Sequence, residues 1–459
     1  MSCSVYNKCI TDENRNTIFE DLSIEKKAKF LQASVPEIIN VWSCLDDSLN
    51  GTIKLPMNYA MTHFKQHINI TDKYYKLSFN NFLGDLREGQ QIDVVNKSLE
   101  KIIKNGQCLI NMNTGAGKTV VGCYIAIKLG LMTIVVHPLK TLNDQWKKTF
   151  ENMSNLSTWT IDKPTDKVPF IRPDVIICRF SALKAIPKKW IDKTGLLIMD
   201  EVHMLCTESA ISQLLEITPK YILGETATPS KNTGFVDSII PLFFGNNIIT
   251  NRIFKKFTVV KVNTGIIPVG FKTISKRVFG KKIEYPLWDT VIKCLSHDNA
   301  RNKLLIKMIK IITKMRKTLI LTKLTEHAKF IDDSCDFVDH EVYYGTRKDG
   351  IRDTPLLIGT DKKLGTGFDE ENKSLDKLTD KISVLILPIT FDEPSCIEQL
   401  FGRAFRGDDP IIFIFVDKMK QIENHWKTTI EWAKKTESAN IIEIDNDDKL
   451  KINIEKIIN

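Results

Sequence analysis

Short, uninterrupted apolar runs recur along this chain at the spacing of β-α units. Runs that are apolar throughout, rather than alternating, are typical of strands buried on both faces of a parallel sheet. An amphipathic helix at 302–315 separates two series, 108–112, 133–136, 175–178, 196–199 and 221–223 before it and 318–321, 356–358, 384–387 and 411–415 after it. The pattern therefore predicts an α/β protein with two tandem parallel-sheet lobes and a small accessory N-terminal region.

A glycine loop follows the first of these runs, and it consists of Thr114, Gly115, Ala116, Gly117, Lys118 and Thr119. Between a strand and a helix, such a loop directs backbone N–H groups and a helix N-terminus at a polyphosphate. Lys118 would reach the β- and γ-phosphates, and the Thr119 hydroxyl would hold Mg²⁺. The full P-loop pattern has another glycine where this chain has Met112, so the loop alone also fits an ordinary strand–turn–helix.

An acidic motif, Asp200-Glu201-Val202-His203, follows the run at 196–199. An acidic residue that ends a buried strand beside such a loop can hold Mg²⁺, which assigns Asp200 to the metal. Glu201 would orient the attacking water and accept its proton. Alone, the motif also fits a strand that ends in solvated charge. Thr226-Ala227-Thr228 supplies hydroxyls at a further strand end, where they can bond to the acidic motif.

Composition limits the classes of protein that fit. The 459 residues are 42% hydrophobic and 26% charged, as in ordinary globular proteins, with a net charge of +9 that is compatible with nucleic acid. Ten cysteines without a C-x-x-C pair argue against a zinc ribbon, an iron–sulfur cluster and a disulfide framework. The polar start of the chain and the shortness of its apolar runs predict a soluble intracellular protein without a membrane partner.

A basic stretch at 238–283 contains no Asp or Glu but many Lys, Arg and Phe residues. Such a composition suits a phosphate backbone and stacked bases. The predicted phosphate contacts are Lys255, Lys256, Lys276 and Arg277. A solvated linker with some core aromatics is the alternative interpretation of the same stretch.

The second series of runs has no glycine-lysine loop of its own, so this half is expected to meet a nucleotide without binding it alone. Two of its segments, 359–369 and 399–406, carry polar and basic residues. Arg403 and Arg406, three apart on a predicted helix, would point to one side. There they could stabilise charge on a γ-phosphate, as an arginine finger does. The alternative is an exposed, salt-bridged helix face.

Together, and in this order, the motifs resemble those of the superfamily 2 helicases over residues 86–417. The resemblance implies a catalytic group of Lys118, Glu201, Gln399, Arg403 and Arg406. It implies nucleotide-binding roles for Gln90, which would read adenine, and for Thr114, Gly115, Ala116, Gly117, Lys118, Thr119 and Asp369. It implies nucleic-acid contacts by His137, Pro138, Arg179, Ser181 and Thr360.

Within the superfamily, 200–203, 219–224 and 243–245 resemble two kinds of protein. One is the transcript-release helicase of poxviruses, with counterparts in other large DNA viruses. The other is the duplex-opening helicase of excision repair. Glu225 is a departure from the resemblance, because relatives usually have an apolar residue at its position.

The resemblance implies two RecA-like lobes that close on ATP, Mg²⁺ and a nucleic-acid strand. The expected domains are an accessory region at 1–80, a first lobe at 81–250, a basic linker or insertion at 251–290, a second lobe at 291–435 and a tail at 436–459.

The implied activity is nucleic-acid-stimulated ATP hydrolysis by a monomeric helicase or translocase, with DNA favoured over RNA and transcription or repair as its setting. Transcription-machinery proteins are candidate partners, and a viral origin would imply a cytoplasmic virus factory or the virion. The alternatives are a double-stranded DNA translocase that separates no strands, an RNA helicase, and an adaptor that binds nucleic acid without ATPase activity.

Overall fold

A computed structural model describes residues 2–26, 37–44, 48, 51–68, 74–79, 81–113, 115–227, 235–252, 254–278, 281–345, 350–365, 374–375 and 378–459. The chain forms two compact units, Met1–Ile253 and Phe254–Asn459. None of the helices in this described part has the length and apolar character that crossing a bilayer requires.

The first unit contains twelve strands and nine α-helices within the described residues. They are β1 Ser2–Tyr6, α1 Asp12–Leu22, β2 Ser23–Lys26, β3 Glu37–Asn40, β4 Ser43–Cys44, β5 Thr52–Pro56, α2 Met57–His63, α3 Ile92–Asn105, β6 Gln107–Met112, α4 Lys118–Leu129, β7 Thr133–His137, α5 Thr141–Met153, β8 Thr158–Ile161, β9 Val175–Arg179, α6 Lys188–Ile191, β10 Leu196–Asp200, α7 Val202–Leu205, α8 Glu208–Leu215, β11 Tyr221–Thr226, α9 Phe235–Phe244 and β12 Ile248–Asn251.

The main sheet of this unit has seven strands in the order β12-β6-β11-β10-β7-β9-β8. All of its strand pairs are parallel, and the strands predicted from the apolar runs are among them. The five inner strands, β6, β11, β10, β7 and β9, contribute residues to two separate apolar cores, one on each face. The carboxyl ends of β6, β7, β9, β10 and β11 therefore meet at one edge, where the polar motifs of the sequence lie.

The expected accessory region is integrated with the first lobe. Its strands β1, β5 and β4 form a small antiparallel sheet, whose apolar residues share one core with α8 and α9. The Ser2 hydroxyl donates a hydrogen bond to the carbonyl of Leu215 at 2.5 Å. Lys54 forms an ion pair with Glu216. Residues 2–26 and 51–68 therefore pack as part of the first lobe.

The second unit contains nine strands and six α-helices within the described residues. They are β13 Phe257–Asn263, β14 Thr273–Val278, β15 Lys281–Pro286, α10 Trp288–His297, α11 Asn299–Ile312, β16 Thr318–Thr322, α12 Thr325–Asp333, β17 His340–Tyr343, β18 Leu356–Thr360, β19 Val384–Leu387, α13 Pro394–Phe401, β20 Ile411–Val416, α14 Lys420–Lys435, β21 Ala439–Asp445 and α15 Leu450–Ile458.

Its main sheet also has seven parallel strands, in the order β17-β18-β16-β19-β20-β13-β21. The prediction of two tandem parallel-sheet lobes is therefore confirmed, and the helices that flank each sheet make both lobes RecA-like. Two segments differ from the expected boundaries. β13 falls in the expected linker but pairs with β20 and β21 inside this sheet, and only β14 and β15 form a separate hairpin. The expected tail supplies β21 and α15, whose apolar residues enter the core beside α11.

Candidate active site

The glycine loop connects buried β6 to α4. Gly115 and Gly117 both have φ of +83°, a conformation that residues with a side chain rarely adopt. Thr114 lies outside the described residues. Gly117 also admits a close neighbour, because a Cβ atom there would come within 2.3 Å of Gln91 Nε2. The local sequence therefore produces the tight turn that a phosphate loop needs, with α4 beginning at Lys118.

Gln91, rather than Gln90, contacts this loop. The Gln91 amide donates to the carbonyls of Ala116 and Gly117 at 3.2 and 3.5 Å, and its Oε1 accepts from the backbone N–H of Arg87 at 2.9 Å. Gln90 lies in the turn before α3, and its carbonyl accepts from the Asn251 side chain. Adenine recognition by Gln90 stays a prediction, and Gln91 is an additional residue that holds the loop.

Lys118 lies at the first position of α4, with its amine directed back toward β6. Its Nζ donates to the carbonyl of Met112 at 3.1 Å and approaches that of Asn113 at 3.5 Å. These two strand-end carbonyls hold the cation within the loop. A phosphate that enters the loop would offer the amine a charged acceptor, which makes a stronger hydrogen bond than a neutral carbonyl.

Two consecutive residues of α5 connect the predicted metal ligands. Gln145 donates from Nε2 to the Thr119 hydroxyl at 2.7 Å. Trp146 donates from Nε1 to Asp200 Oδ2 at 2.9 Å, and both groups are buried. Thr119 and Asp200 come from distant parts of the sequence, and α5 fixes the orientation of both. Sequence reasoning missed Gln145 and Trp146, because their motif-free helix gave no chemical signal.

The acidic motif turns sharply at Glu201, which has φ of +52° and precedes α7. A non-glycine residue in this conformation carries strain, which is often found at functional sites. Glu201 Oε2 lies 3.4 Å from His203 Nδ1. The same His203 nitrogen lies 2.8 Å from the Thr226 hydroxyl. His203 therefore joins the predicted general base to Thr226 of the strand-end hydroxyl motif, of which Thr228 lies outside the described residues.

Glu225 is a carboxyl group in the interior of the lobe. It is 0% exposed and pairs in register with Asp200 across two neighbouring strands. A Cβ atom added to Gly122 would come within 2.4 Å of its Oε1, so Glu225 packs closely against α4. Burial and then the charge of Asp200 raise the pKa of Glu225 well above its usual value, whereas Lys118 lowers it. Glu225 is thus a buried acid beside the catalytic candidates.

The residues predicted to bind nucleic acid in the first lobe differ in accessibility. Pro138 and Arg179 are partly exposed and Ser181 is exposed, all three near the carboxyl edge of the sheet. His137 is fully buried, its Nε2 lies 2.7 Å from Asn143 Oδ1, and burial lowers its pKa. The nucleic-acid contact by His137 stays a prediction, and in this conformation the ring is buried inside the lobe at the end of β7.

In the second lobe, α13 ends at Phe401 and Ala404–Arg406 form a 3-10 turn. Arg403 and Arg406 therefore do not share one α-helix as predicted, because the helix ends before Arg403, and Arg406 lies in the 3-10 turn. Arg403 is 5% exposed, Arg406 is partly exposed, and Gln399 lies within α13. Thr360 ends β18 and is buried, and Asp369 lies outside the described residues.

The basic residues of the second lobe lie in two places. Lys255 and Lys256 are exposed just before β13, and Lys255 Nζ lies 3.6 Å from Asp408 Oδ1. Lys276 and Arg277 are consecutive residues of β14, in register with Ile283 and Lys282 of β15. Lys255 and Lys256 thus precede the first strand of the main sheet, whereas Lys276 and Arg277 belong to the separate hairpin.

In its fold and in the order of its motifs, this chain resembles the superfamily 2 helicases and translocases. The sequence model described as "Type III restriction enzyme, res subunit" matches residues 85–231. This segment contains the glycine loop and the acidic motif.

Three viral proteins are similar to this chain in sequence. "Putative helicase 161L" of Invertebrate iridescent virus 6 is 28% identical over 416 residues, covering 84% of this chain and 89% of that protein. "Putative helicase 055L" of Frog virus 3 is 26% identical over 350 residues, covering 73% and 75%. "Transcript termination protein A18" of Vaccinia virus (strain Ankara) is 28% identical over 360 residues, covering 71% and 69%.

Two solved structures share the fold. S. cerevisiae Dbp5 bound to RNA and ADP BeF3 has a TM-score of 0.55 and 13% identity, covering 80% of this chain and 93% of that one. The ATP-dependent Type ISP restriction-modification enzyme LlaBIII bound to DNA has a TM-score of 0.53 and 13% identity, covering 90% and 34%. At these identities the likeness concerns the fold alone.

Proposed function

We propose that this protein hydrolyses ATP when it binds a nucleic-acid strand and uses the energy to move along that strand. The observation that carries the proposal is the pair of hydrogen bonds from α5. Gln145 and Trp146 orient Thr119 and Asp200, which are the hydroxyl and carboxylate that a nucleotide-bound Mg²⁺ requires.

The donor set of the first lobe fits ATP and Mg²⁺. The loop with Gly115 and Gly117 leads into the N-terminus of α4, which favours an anion, and Lys118 supplies a cation beside it. Thr119 and Asp200 offer the hard oxygen atoms that Mg²⁺ prefers. Bound Mg²⁺ would neutralise charge on the phosphates.

The chain's own residues then have separate tasks. Lys118 exchanges the carbonyls of Met112 and Asn113 for phosphate oxygens, and Glu201 accepts the proton of the attacking water. His203, between Glu201 and the Thr226 hydroxyl, holds the base in position and transmits changes at the end of β11. Arg403, Arg406 and Gln399 remain the predicted groups that respond to the γ-phosphate.

Nucleic acid is the proposed partner, with DNA favoured. The exposed or partly exposed residues Pro138, Arg179 and Ser181 and the basic residues Lys255, Lys256, Lys276 and Arg277 are the proposed contacts. The DNA-bound LlaBIII and the RNA-bound Dbp5 support a strand partner of either type. The name of the vaccinia relative supports a setting in transcription and transcription-machinery proteins as partners.

A strand-displacement assay on DNA and RNA duplexes, run beside an ATPase assay, tests the proposal. Strand-stimulated hydrolysis with displacement indicates a helicase, and the preferred duplex identifies its substrate. Stimulated hydrolysis without displacement indicates a double-stranded DNA translocase. Binding without hydrolysis would leave only the adaptor, against which the presence of Lys118, Asp200 and Glu201 argues.

A further inference from the structure

Asp162 contacts two cations at the carboxyl edge of the first sheet. Lys140 Nζ donates to its Oδ2 at 2.5 Å, and Arg179 Nη1 lies 3.4 Å from its Oδ1. The three residues follow or end β7, β8 and β9, which are neighbours in the sheet. Each carboxylate oxygen therefore faces one cation.

The carboxylate is fixed more firmly than the cations. The Asp162 side chain is 18% exposed, whereas those of Lys140 and Arg179 are 65% and 38% exposed. The Asp162 backbone N–H donates to Asp166 Oδ2 at 2.8 Å, which holds this turn in place. Burial raises the pKa of Asp162, but Lys140 and Arg179 lower it by more, so the net pKa is below its usual value. The carboxylate is therefore charged at neutral pH.

Arg179 is one of the proposed strand contacts, and Lys140 lies beside it with an exposed side chain. Without Asp162 the pair would present two positive charges to a phosphate, and with Asp162 the local sum is one. Partly exposed ion pairs contribute only about 0.2–1 kcal/mol each, so an arriving phosphate can displace them.

We propose that Asp162 is a built-in competitor for the phosphate that Lys140 and Arg179 bind. The inference rests on the proposed function, in which a strand lies along this edge. A protein that moves along a strand must release each phosphate it holds, and a fixed carboxylate offers the two cations another partner at that moment. Asp162 thereby weakens the binding of one strand phosphate by Lys140 and Arg179.

The test is the salt dependence of single-stranded DNA binding by the full chain, measured by fluorescence anisotropy with an oligothymidine probe. Asp162→Asn keeps the shape of the side chain but removes its charge. One more effective charge then meets the strand, and counterion release of about 0.7 per charge on a single strand should raise affinity about fivefold near 0.1 M salt. The slope of log affinity against log salt should steepen by about 0.7.

Asp192→Asn is the matched control. Asp192 pairs with Lys188 at 3.6 Å, just before β10 begins at the opposite edge of the same sheet. The substitution makes the same change in net charge, so it should leave affinity and slope nearly unchanged. Equal gains in the two variants would reduce the effect to net charge and overturn the proposal.

A second arm places Asp162→Asn in a background that carries Lys140→Ala and Arg179→Ala. The gain should disappear there, because Asp162 acts through these two cations. A gain that persists, or weaker binding by Asp162→Asn alone, would contradict competition. If the wild-type chain itself shows no salt-dependent binding, the proposed function fails; if only the Asp162→Asn effect is missing, this inference alone fails.

Discussion

The indole N–H of Trp146 donates a 2.9 Å hydrogen bond to Oδ2 of Asp200, inside the first lobe. A buried tryptophan thus fixes the carboxylate that is proposed to hold Mg²⁺. The hydrogen-bond partner of a metal ligand sets the orientation of that ligand. Loss of the partner commonly weakens metal affinity by about 10- to 100-fold. The helix that carries Trp146 is therefore part of the site, although it contains no residue of a recognised motif.

Trp146→Phe should keep most of the ring volume but remove the donor. We expect ATP hydrolysis to need about tenfold more Mg²⁺ for half-maximal rate, since Asp200 loses its orientation. A Mg²⁺ titration of the steady-state rate measures this. Trp159→Phe, in edge strand β8, is the control. An unchanged Mg²⁺ requirement in Trp146→Phe would assign the bond to folding alone.

Glu225→Gln should change the pH dependence of stability. The pKa of Glu225 is raised in the folded chain, whereas in the unfolded chain the carboxyl has its ordinary pKa near 4.5. At pH values above 4.5, folding therefore takes up a proton. Its contribution to stability is thus fully present below that value and declines as pH rises toward the folded pKa, by up to about 1.4 kcal/mol per pH unit. The uncharged glutamine has no such decline.

Thermal unfolding at pH 5 and pH 8, without Mg²⁺, tests this difference. The midpoint of Glu225→Gln relative to the wild type should rise between the two pH values. A constant difference would mean that the Glu225 carboxyl titrates at its ordinary pKa despite its burial.

The extent of the apolar runs explains why the fold was predictable. Runs such as 196–199 and 384–387 are apolar throughout, and the structure places each in a parallel sheet buried on both faces. β13 escaped prediction as a lobe strand because its pattern FTVVKVN contains a lysine, which pairs with Glu443 on the neighbouring strand. Its place in the sheet depends on a strand about 180 residues later, a relation that local patterns do not carry.

The candidate site was predictable only in its motif residues. Lys118, Thr119, Asp200 and Glu201 stand out because their chemistry is specific at strand ends. Gln145 and Trp146 look like ordinary helix residues, and their roles arise from the packing of α5 against α4 and β10. The burial of His137 is likewise a tertiary effect, since a histidine after three apolar residues fits either a buried or an exposed strand end.

Arg406→Ala should retain ATP affinity within a few-fold but lose roughly a thousandfold in turnover, because an arginine finger acts on the transition state. Lysine should rescue poorly, since it lacks the planar guanidinium. Steady-state kinetics and nucleotide binding together measure both effects. Arg352→Ala, an exposed arginine of the same lobe that pairs with Glu341, is the control. Equal losses of affinity and turnover would make Arg406 a ground-state contact instead.

Neutralising Lys255, Lys256, Lys276 and Arg277 together should weaken binding to all sequences alike and flatten its salt dependence, because phosphate contacts release counterions. Anisotropy titrations at several salt concentrations measure the slope. The matched control removes four exposed lysines of α14, Lys420, Lys427, Lys434 and Lys435. If both quadruple variants change the slope equally, the predicted contacts have no special role in strand binding.

ATP hydrolysis measured against the concentration of single-stranded DNA tests the central claim most directly, in the wild type, Lys118→Ala and Glu201→Gln. We predict a saturable rise in the wild type and none in Lys118→Ala, which lacks the loop's cation. Glu201→Gln should bind ATP yet lose about 100-fold or more in turnover, because its amide cannot accept the proton of water. A rate of hydrolysis that does not change with DNA concentration, or wild-type turnover in Glu201→Gln, would contradict the proposed function.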